Sequence, residues 1–157
     1  MRDIRKVRGY TKEIEFCKKV SRRKGIYTFR TPVSGSRNLP DVFFIDSYSK
    51  TIYCVEVKST TRSKIKIKRS QIVRLLHFCR SFKTICECIP LISIYTYNNK
   101  KWYVLEVKKN APFYSTAILQ INDNGIVVLR GEEFLNQGIK HTLWIERLLN
   151  LKRKRFR

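Results

Sequence analysis

The chain has 157 residues, of which 43% are hydrophobic, so it is long enough for one domain with a sizeable core and is unlike a disordered chain. Its 34 lysines and arginines against 12 aspartates and glutamates give a formal net charge of +22, which favours nucleic acid over anionic lipid as the partner. No signal-peptide pattern and no long uncharged apolar run is found, which predicts a cytoplasmic protein without a membrane span.

The first half of the chain predicts one helix followed by three strands. Thr11 is of the residue type that caps a helix, and Gly25 is well placed to end it. The predicted elements are a loose basic segment over 1–10, a helix from Thr11 to about Arg23, a strand over 26–30, a turn-rich segment over 31–40, and a hairpin of strands over 41–45 and 52–58.

The second half predicts a further alternation of strands and helices. The predicted elements are a strand over 65–67, a helix over 69–82, a hairpin of strands over 90–97 and 102–107, short strands within 113–129, an amphipathic helix over 132–151, and a basic tail over 152–157. This order favours an α/β or α+β domain with a mixed β-sheet. We expect 1–110 to form the core of the domain and 111–157 to be a C-terminal extension of the same domain.

The cysteines predict neither a disulfide framework nor a zinc site. Their number is odd, no two stand in a C-x-x-C pair, and only two histidines accompany them. We therefore expect reduced thiols in a cytosolic protein. The five cysteines are Cys17, Cys54, Cys79, Cys86 and Cys88.

The first hairpin brings two acidic residues together. If Asp46 and Thr51 close its turn, Asp41 faces Glu56 across the two strands, and Lys58 shares the face of Glu56. Opposed carboxylates repel each other. A hard divalent cation, either Mg²⁺ or Mn²⁺ as a substitute, compensates for that repulsion. Such an ion together with Lys58 is suited to phosphodiester hydrolysis. The alternative is a surface Lys–Glu pair with Asp41 as a turn residue.

The same E-x-K spacing recurs at Glu106 and Lys108. The preceding predicted strand, over 91–97, contains no acidic residue that could face Glu106. We therefore assign the motif to Glu56 and not to Glu106.

Pro40-Asp41 followed by Glu56-Val57-Lys58 is the signature of the PD-(D/E)xK nucleases. Together with the segments over 6–13, 29–36 and 65–71, it makes the chain resemble the archaeal Holliday-junction resolvases and their counterparts in archaeal viruses over about residues 6–107. The resemblance implies a restriction-endonuclease-like mixed sheet flanked by helices. It also implies a Mg²⁺-dependent homodimeric endonuclease that cuts four-way DNA junctions in DNA recombination and repair.

The resemblance assigns roles to individual residues. Glu13 completes a metal site with Asp41 and Glu56, and Lys58 is the catalytic lysine. Ile14 stands where the family usually has a basic residue, so Lys12 is its expected substitute. The residues expected to contact DNA are Arg30, Ser34, Ser36, Gln71, Lys12, Lys68 and Arg69.

Two other functions stay open at this point. One is a nuclease of the same superfamily that acts on linear or flapped duplex DNA. The other is a nucleic-acid-binding protein without catalytic activity. Dependence of cleavage on a divalent metal separates the nucleases from the binding protein, and competition between branched and linear DNA separates the two nucleases.

Overall fold

A computed structural model describes residues 3–32 and 38–152, so Ser34, Ser36 and the last five residues lie outside the described part. The chain forms three helices and nine strands there. In chain order these are α1 (Ile4–Val20), β1 (Ile26–Arg30), β2 (Val42–Asp46), β3 (Thr51–Thr60), β4 (Lys64–Ile67), α2 (Arg69–Arg80), β5 (Glu87–Thr96), β6 (Lys101–Val107), β7 (Ala117–Asn122), β8 (Gly125–Arg130), β9 (Leu135–Asn136) and α3 (Lys140–Asn150).

The strands form two sheets. The larger sheet has the order β1-β2-β3-β5-β6-β9, and the smaller one has the order β4-β7-β8. In the larger sheet β3 and β5 run parallel, because α2 lies in the connection between them, and the other pairs are antiparallel. The expected mixed sheet flanked by helices is therefore confirmed.

The larger sheet lies between two layers with separate apolar cores. Tyr53, Val55 and Val57 of β3 face a core that includes Phe16 of α1 and Ile145 of α3. The alternate residues face α2 and the smaller sheet, in a second core. Each fully buried large apolar side chain contributes roughly 1.5–3 kcal/mol to folding.

The first helix begins earlier than predicted. Asp3 caps it by accepting a hydrogen bond from the backbone N–H of Arg5 at 3.0 Å, and the helix starts at Ile4. Thr11 lies inside the helix, where its hydroxyl donates to the carbonyl of Val7 at 2.8 Å. The prediction of a loose segment is wrong for residues 4–10, because an earlier cap was available.

The predicted helix over 132–151 is also wrong in its first third. Leu135 and Asn136 pair with Val107 and Glu106 of β6, and α3 begins only at Lys140. Gly138 has a φ of 67°, a left-handed conformation that interrupts a helix.

Residues after 110 contribute to both apolar cores, since Phe134 packs in one and α3 in the other. No helix within the described ranges is long and apolar enough to cross a membrane.

Candidate active site

The site forms at the end of β3 that extends beyond β2, its neighbour in the sheet. Val42, the first residue of β2, pairs with Val55, so Asp41 precedes the strand opposite Glu56 and the predicted register is confirmed. β3 continues to Thr60 without β2 beside it. The carboxylate of Asp41 satisfies one of the backbone groups left free there, because its Oδ2 accepts from the N–H of Val57 at 2.9 Å.

Glu56 is a buried carboxylate, with 2% of its surface exposed, on the face of β3 that packs against α2. Three side chains compensate for its burial. Lys58 Nζ lies 3.1 Å from Oε1, Arg74 Nη2 lies 2.6 Å from Oε2, and Gln71 Nε2 donates to Oε1 at 2.9 Å. A carboxylate buried in an otherwise apolar strand requires such partners, since burial without them is very unfavourable.

The first turn of α2 orients the amide of Gln71. Its Oε1 accepts from the backbone N–H of Lys68 at 3.0 Å, which caps the helix and leaves the amide nitrogen directed at Glu56. The structure thus joins Gln71 to the site. Its contact with DNA stays a prediction.

Glu13 comes to the site from α1. Its Oε2 lies 3.3 Å from Nη1 of Arg30, whose guanidinium also stacks over the ring of Tyr10 at 4.3 Å. Burial raises the pKa of Glu13, and the charge of Glu56 raises it further, whereas Arg30 and Lys58 oppose that change. The charges of Glu56, Arg30 and Lys58 thus act on Glu13, and its role as a metal ligand stays a prediction.

The pKa of Asp41 is raised to about 7, first by burial and then by the charge of Glu56. Glu13 adds to the effect, and the Val57 N–H and Lys58 oppose it. Burial and two neighbouring carboxylates thus make the charged form of Asp41 unfavourable. A divalent cation would relieve this repulsion, and carboxylates are oxygen ligands of the type that Mg²⁺ prefers.

The three carboxylates are not drawn together around one point. Within the described part of the chain, only a cysteine cluster brings three ligand atoms within 4.8 Å of one another. Arg74 and Lys58 contact the oxygens of Glu56 instead, and Arg30 contacts Glu13. A cation bound by the carboxylates must displace some of these ion pairs.

The residues expected to bind DNA differ in their exposure to solvent. Lys68 and Arg69 are exposed at the start of α2. Lys12 is only 8% exposed, because its ammonium group contacts Glu15 and lies 3.5 Å from the centre of the Tyr95 ring. These contacts engage the group inside the fold, which argues against the predicted contact of Lys12 with DNA.

Arg74 is a site residue that the sequence analysis missed. It stands three residues after Gln71, so both side chains leave the same face of α2. That spacing was a usable signal once the helix was predicted. Glu106 lies elsewhere, with Oε2 at 3.4 Å from Nδ1 of His141, as expected for a glutamate outside the motif.

The family model described as archaeal Holliday junction resolvase (hjc) matches residues 4–139 of this chain. The chain belongs to this family. The match extends past residue 107, where the sequence resemblance ended, and takes in the smaller sheet and β9.

Relatives of this resolvase-family chain include two named nucleases. The crossover junction endodeoxyribonuclease of Sulfolobus islandicus rod-shaped virus 1 is 37% identical over 90 residues, which are 56% of this chain and 72% of the viral one. The crossover junction endodeoxyribonuclease Hje of Saccharolobus solfataricus is 34% identical over 92 residues, 57% of this chain and 65% of the relative.

A solved structure shares the fold. The Holliday junction resolvase Hjc of Archaeoglobus fulgidus superposes with a TM-score of 0.51 at 16% identity, over 61% of this chain and 74% of that one. At this identity the likeness concerns the architecture of the sheet and helices.

Proposed function

We propose that this chain is a divalent-metal-dependent endonuclease that resolves four-way DNA junctions. The observation that carries the proposal is the meeting of Asp41, Glu56 and Lys58 at the end of β3 that β2 leaves free. Two curated relatives with more than 30% identity are named crossover junction endodeoxyribonucleases, which supports this substrate.

Glu13, Asp41 and Glu56 are the residues that would hold Mg²⁺, with Mn²⁺ as a substitute. Their oxygen donors suit a hard cation, and the pKa of Asp41, raised to about 7 by burial and by the charge of Glu56, indicates that its negative charge is poorly compensated without one. A divalent cation bound there would neutralise charge on the phosphodiester and make water more acidic. To bind the cation, Glu13 would break its ion pair with Arg30.

Lys58 is the residue best placed to act on the attacking water or on the phosphate. Its ammonium group lies 3.1 Å from Oε1 of Glu56, and a quarter of its side chain is exposed, so it reaches both the buried carboxylate and solvent. From there it can orient the water or stabilise the charge that develops on the phosphate oxygens.

The positive charge of the chain supports its binding to the phosphate backbone of DNA. A net charge of +22 attracts phosphates without reading bases, so selectivity for a junction would come from its shape. Paired cuts at a symmetric junction require two active sites, and a homodimer supplies them.

The test compares the wild type with Glu56→Gln and Glu106→Gln on an end-labelled four-way junction and on a linear duplex of matched sequence. Glu106→Gln is the control, because it changes the second E-x-K motif outside the site. We expect paired symmetric nicks in the junction with Mg²⁺, lost in chelator and in Glu56→Gln although binding persists. Glu106→Gln should cut like the wild type.

Two results would contradict the proposal. Equal cutting of the linear duplex would indicate a nuclease of broader substrate range. Tight binding of the junction by the wild type without cleavage at any Mg²⁺ or Mn²⁺ concentration would indicate a DNA-binding protein.

A further inference from the structure

Three cysteines from three different elements converge in the core between the larger sheet and α2. Cys54 of β3, Cys79 of α2 and Cys88 of β5 are between 0% and 4% exposed. The Sγ atom of Cys79 lies 3.2 Å from that of Cys54 and 2.7 Å from that of Cys88, and all three lie within 4.8 Å of one another. We call these three residues the cysteine cluster.

We propose that the cysteine cluster binds one thiophilic metal ion of the Zn²⁺, Cd²⁺ or Cu⁺ class. Thiolate ligands select such ions over Mg²⁺. In a zinc–thiolate site the metal–sulfur distance is about 2.3 Å, which sets the sulfurs roughly 3.8 Å apart. The closest sulfurs must therefore separate by about 1 Å, and each ligating thiol gives its proton to solvent as its metal–sulfur bond forms.

The convergence of three sulfurs distinguishes this site from other uses of buried cysteine. A thiol that only fills space, like a small apolar side chain, needs no second sulfur beside it. A disulfide joins two sulfurs and would leave the third without a role. Cys79 contacts both other sulfurs, and the side chain of Cys54 also approaches the carbonyl of Leu75, at 3.5 Å, within the same core.

A cavity of about 740 Å³ gives access to the cluster. Cys79 and Cys88 line it, together with residues that include Lys83, Cys86 and Lys109. The ammonium group of Lys109 lies 3.2 Å from the carbonyl oxygen of Cys88, where it would offset part of the negative charge of a metal–thiolate group. A buried site that lacked such an opening could not load after folding.

The cluster lies outside the proposed nuclease site but on the same face of β3. Cys54 and Glu56 are two residues apart, and α2 contacts both through Cys79 and Arg74. Sulfur ligands favour soft or borderline ions and carboxylates favour hard ones, so the two sites would take different metals. The metal of the cysteine cluster would pin α2 against the sheet without joining the chemistry of cleavage.

The test uses the full chain, reduced and free of oxygen, titrated with Cd²⁺. We expect a thiolate-to-cadmium charge-transfer band that saturates at one equivalent, and X-ray absorption that shows three sulfur ligands. Cys79→Ala should weaken Cd²⁺ binding about tenfold or more. The matched control is Cys17→Ala, which alters a cysteine outside the cluster and should bind Cd²⁺ like the wild type.

Because Cys79→Ala also removes a side chain from the core, a second measurement is made on the wild type and needs no variant. Alkylation followed by mass spectrometry should show that Cd²⁺ slows the reaction of Cys54, Cys79 and Cys88 and leaves that of Cys17 unchanged. Oxygen ligands alone, no band at one equivalent, or equal binding by Cys79→Ala would overturn the proposal. So would a Cys79–Cys88 disulfide that persists under reductant.

Discussion

Two neighbouring positions on one face of β3 are buried to a similar degree but by different means. Glu56 is held by two cations and an amide, whereas Cys54 lies among apolar side chains and two other thiols. A thiol can be buried without a charged partner, and a carboxylate cannot. The comparison shows that the fold buries the charge of Glu56 only together with partners that compensate for it.

Helix α2 supplies the surroundings of both positions. Its first turns present Gln71 and Arg74 to Glu56, and its later turns present Leu75 and Cys79 to Cys54. The polar surroundings coincide with the end of β3 that β2 does not cover, next to Asp41. An open sheet edge beside paired charges is where a charged substrate can approach.

The largest effect on DNA cleavage should come from removing the positive charge of Lys58 at this sheet edge. Lys58→Met should lower the single-turnover rate of junction cleavage about 100-fold or more, because it removes the group that orients water or stabilises the phosphate. Binding of the junction, measured by gel shift in chelator, should change little. Lys50→Met, in the exposed turn of the hairpin, is the control and should retain the wild-type rate.

The second effect concerns Asp41 and pH. Its folded-state pKa of about 7 lies above the ordinary value of 3.8, so its contribution to stability is complete below pH 3.8 and is lost as the pH rises through 7. Without metal, the wild type should lose on the order of 3 kcal/mol between pH 5 and pH 8 from this group. Asp41→Asn should remove that loss in urea unfolding measured at both pH values.

The exposed Asp123→Asn is the control for that measurement and should follow the wild type. Added Mg²⁺ should stabilise the wild type at pH 8 and leave Asp41→Asn nearly unchanged, because the cation binds the charged carboxylate. A wild type equally stable at pH 5 and pH 8 would mean that neither burial nor the acidic neighbours raise the pKa of Asp41.

The smallest effect concerns Arg74, which occupies an oxygen of Glu56. Arg74→Gln should lower the Mg²⁺ concentration for half-maximal cleavage by a few-fold, because it removes a competing positive charge. It should also lower the metal-free stability by roughly 1.5–3 kcal/mol, the value of a hydrogen bond to a charged group. Arg80→Gln, exposed on the same helix, should change neither quantity, and a rise in the Mg²⁺ requirement of Arg74→Gln would mean that Arg74 supports the metal site.

The sequence by itself determined the features that depend on short separations along the chain. The length of the turn between β2 and β3 sets which residues face each other, so Asp41 and Glu56 were predicted to be opposed. The two-residue period of a strand then put Lys58 on the face of Glu56. Family motifs added Glu13 from a distant helix, and the order of elements predicted the mixed sheet.

Only the tertiary structure decided what depends on distant contacts. Leu135 and Asn136 carry a helical pattern but pair with β6, because the strand offers backbone partners and Gly138 interrupts the helix. The spacing of Arg74 from Gln71 indicates the helix face of Arg74 but not its partner Glu56, and the meeting of Cys54, Cys79 and Cys88 has no signature in sequence spacing. These residues lie on separate elements, and only packing α2 onto β3 and β5 brings their side chains together.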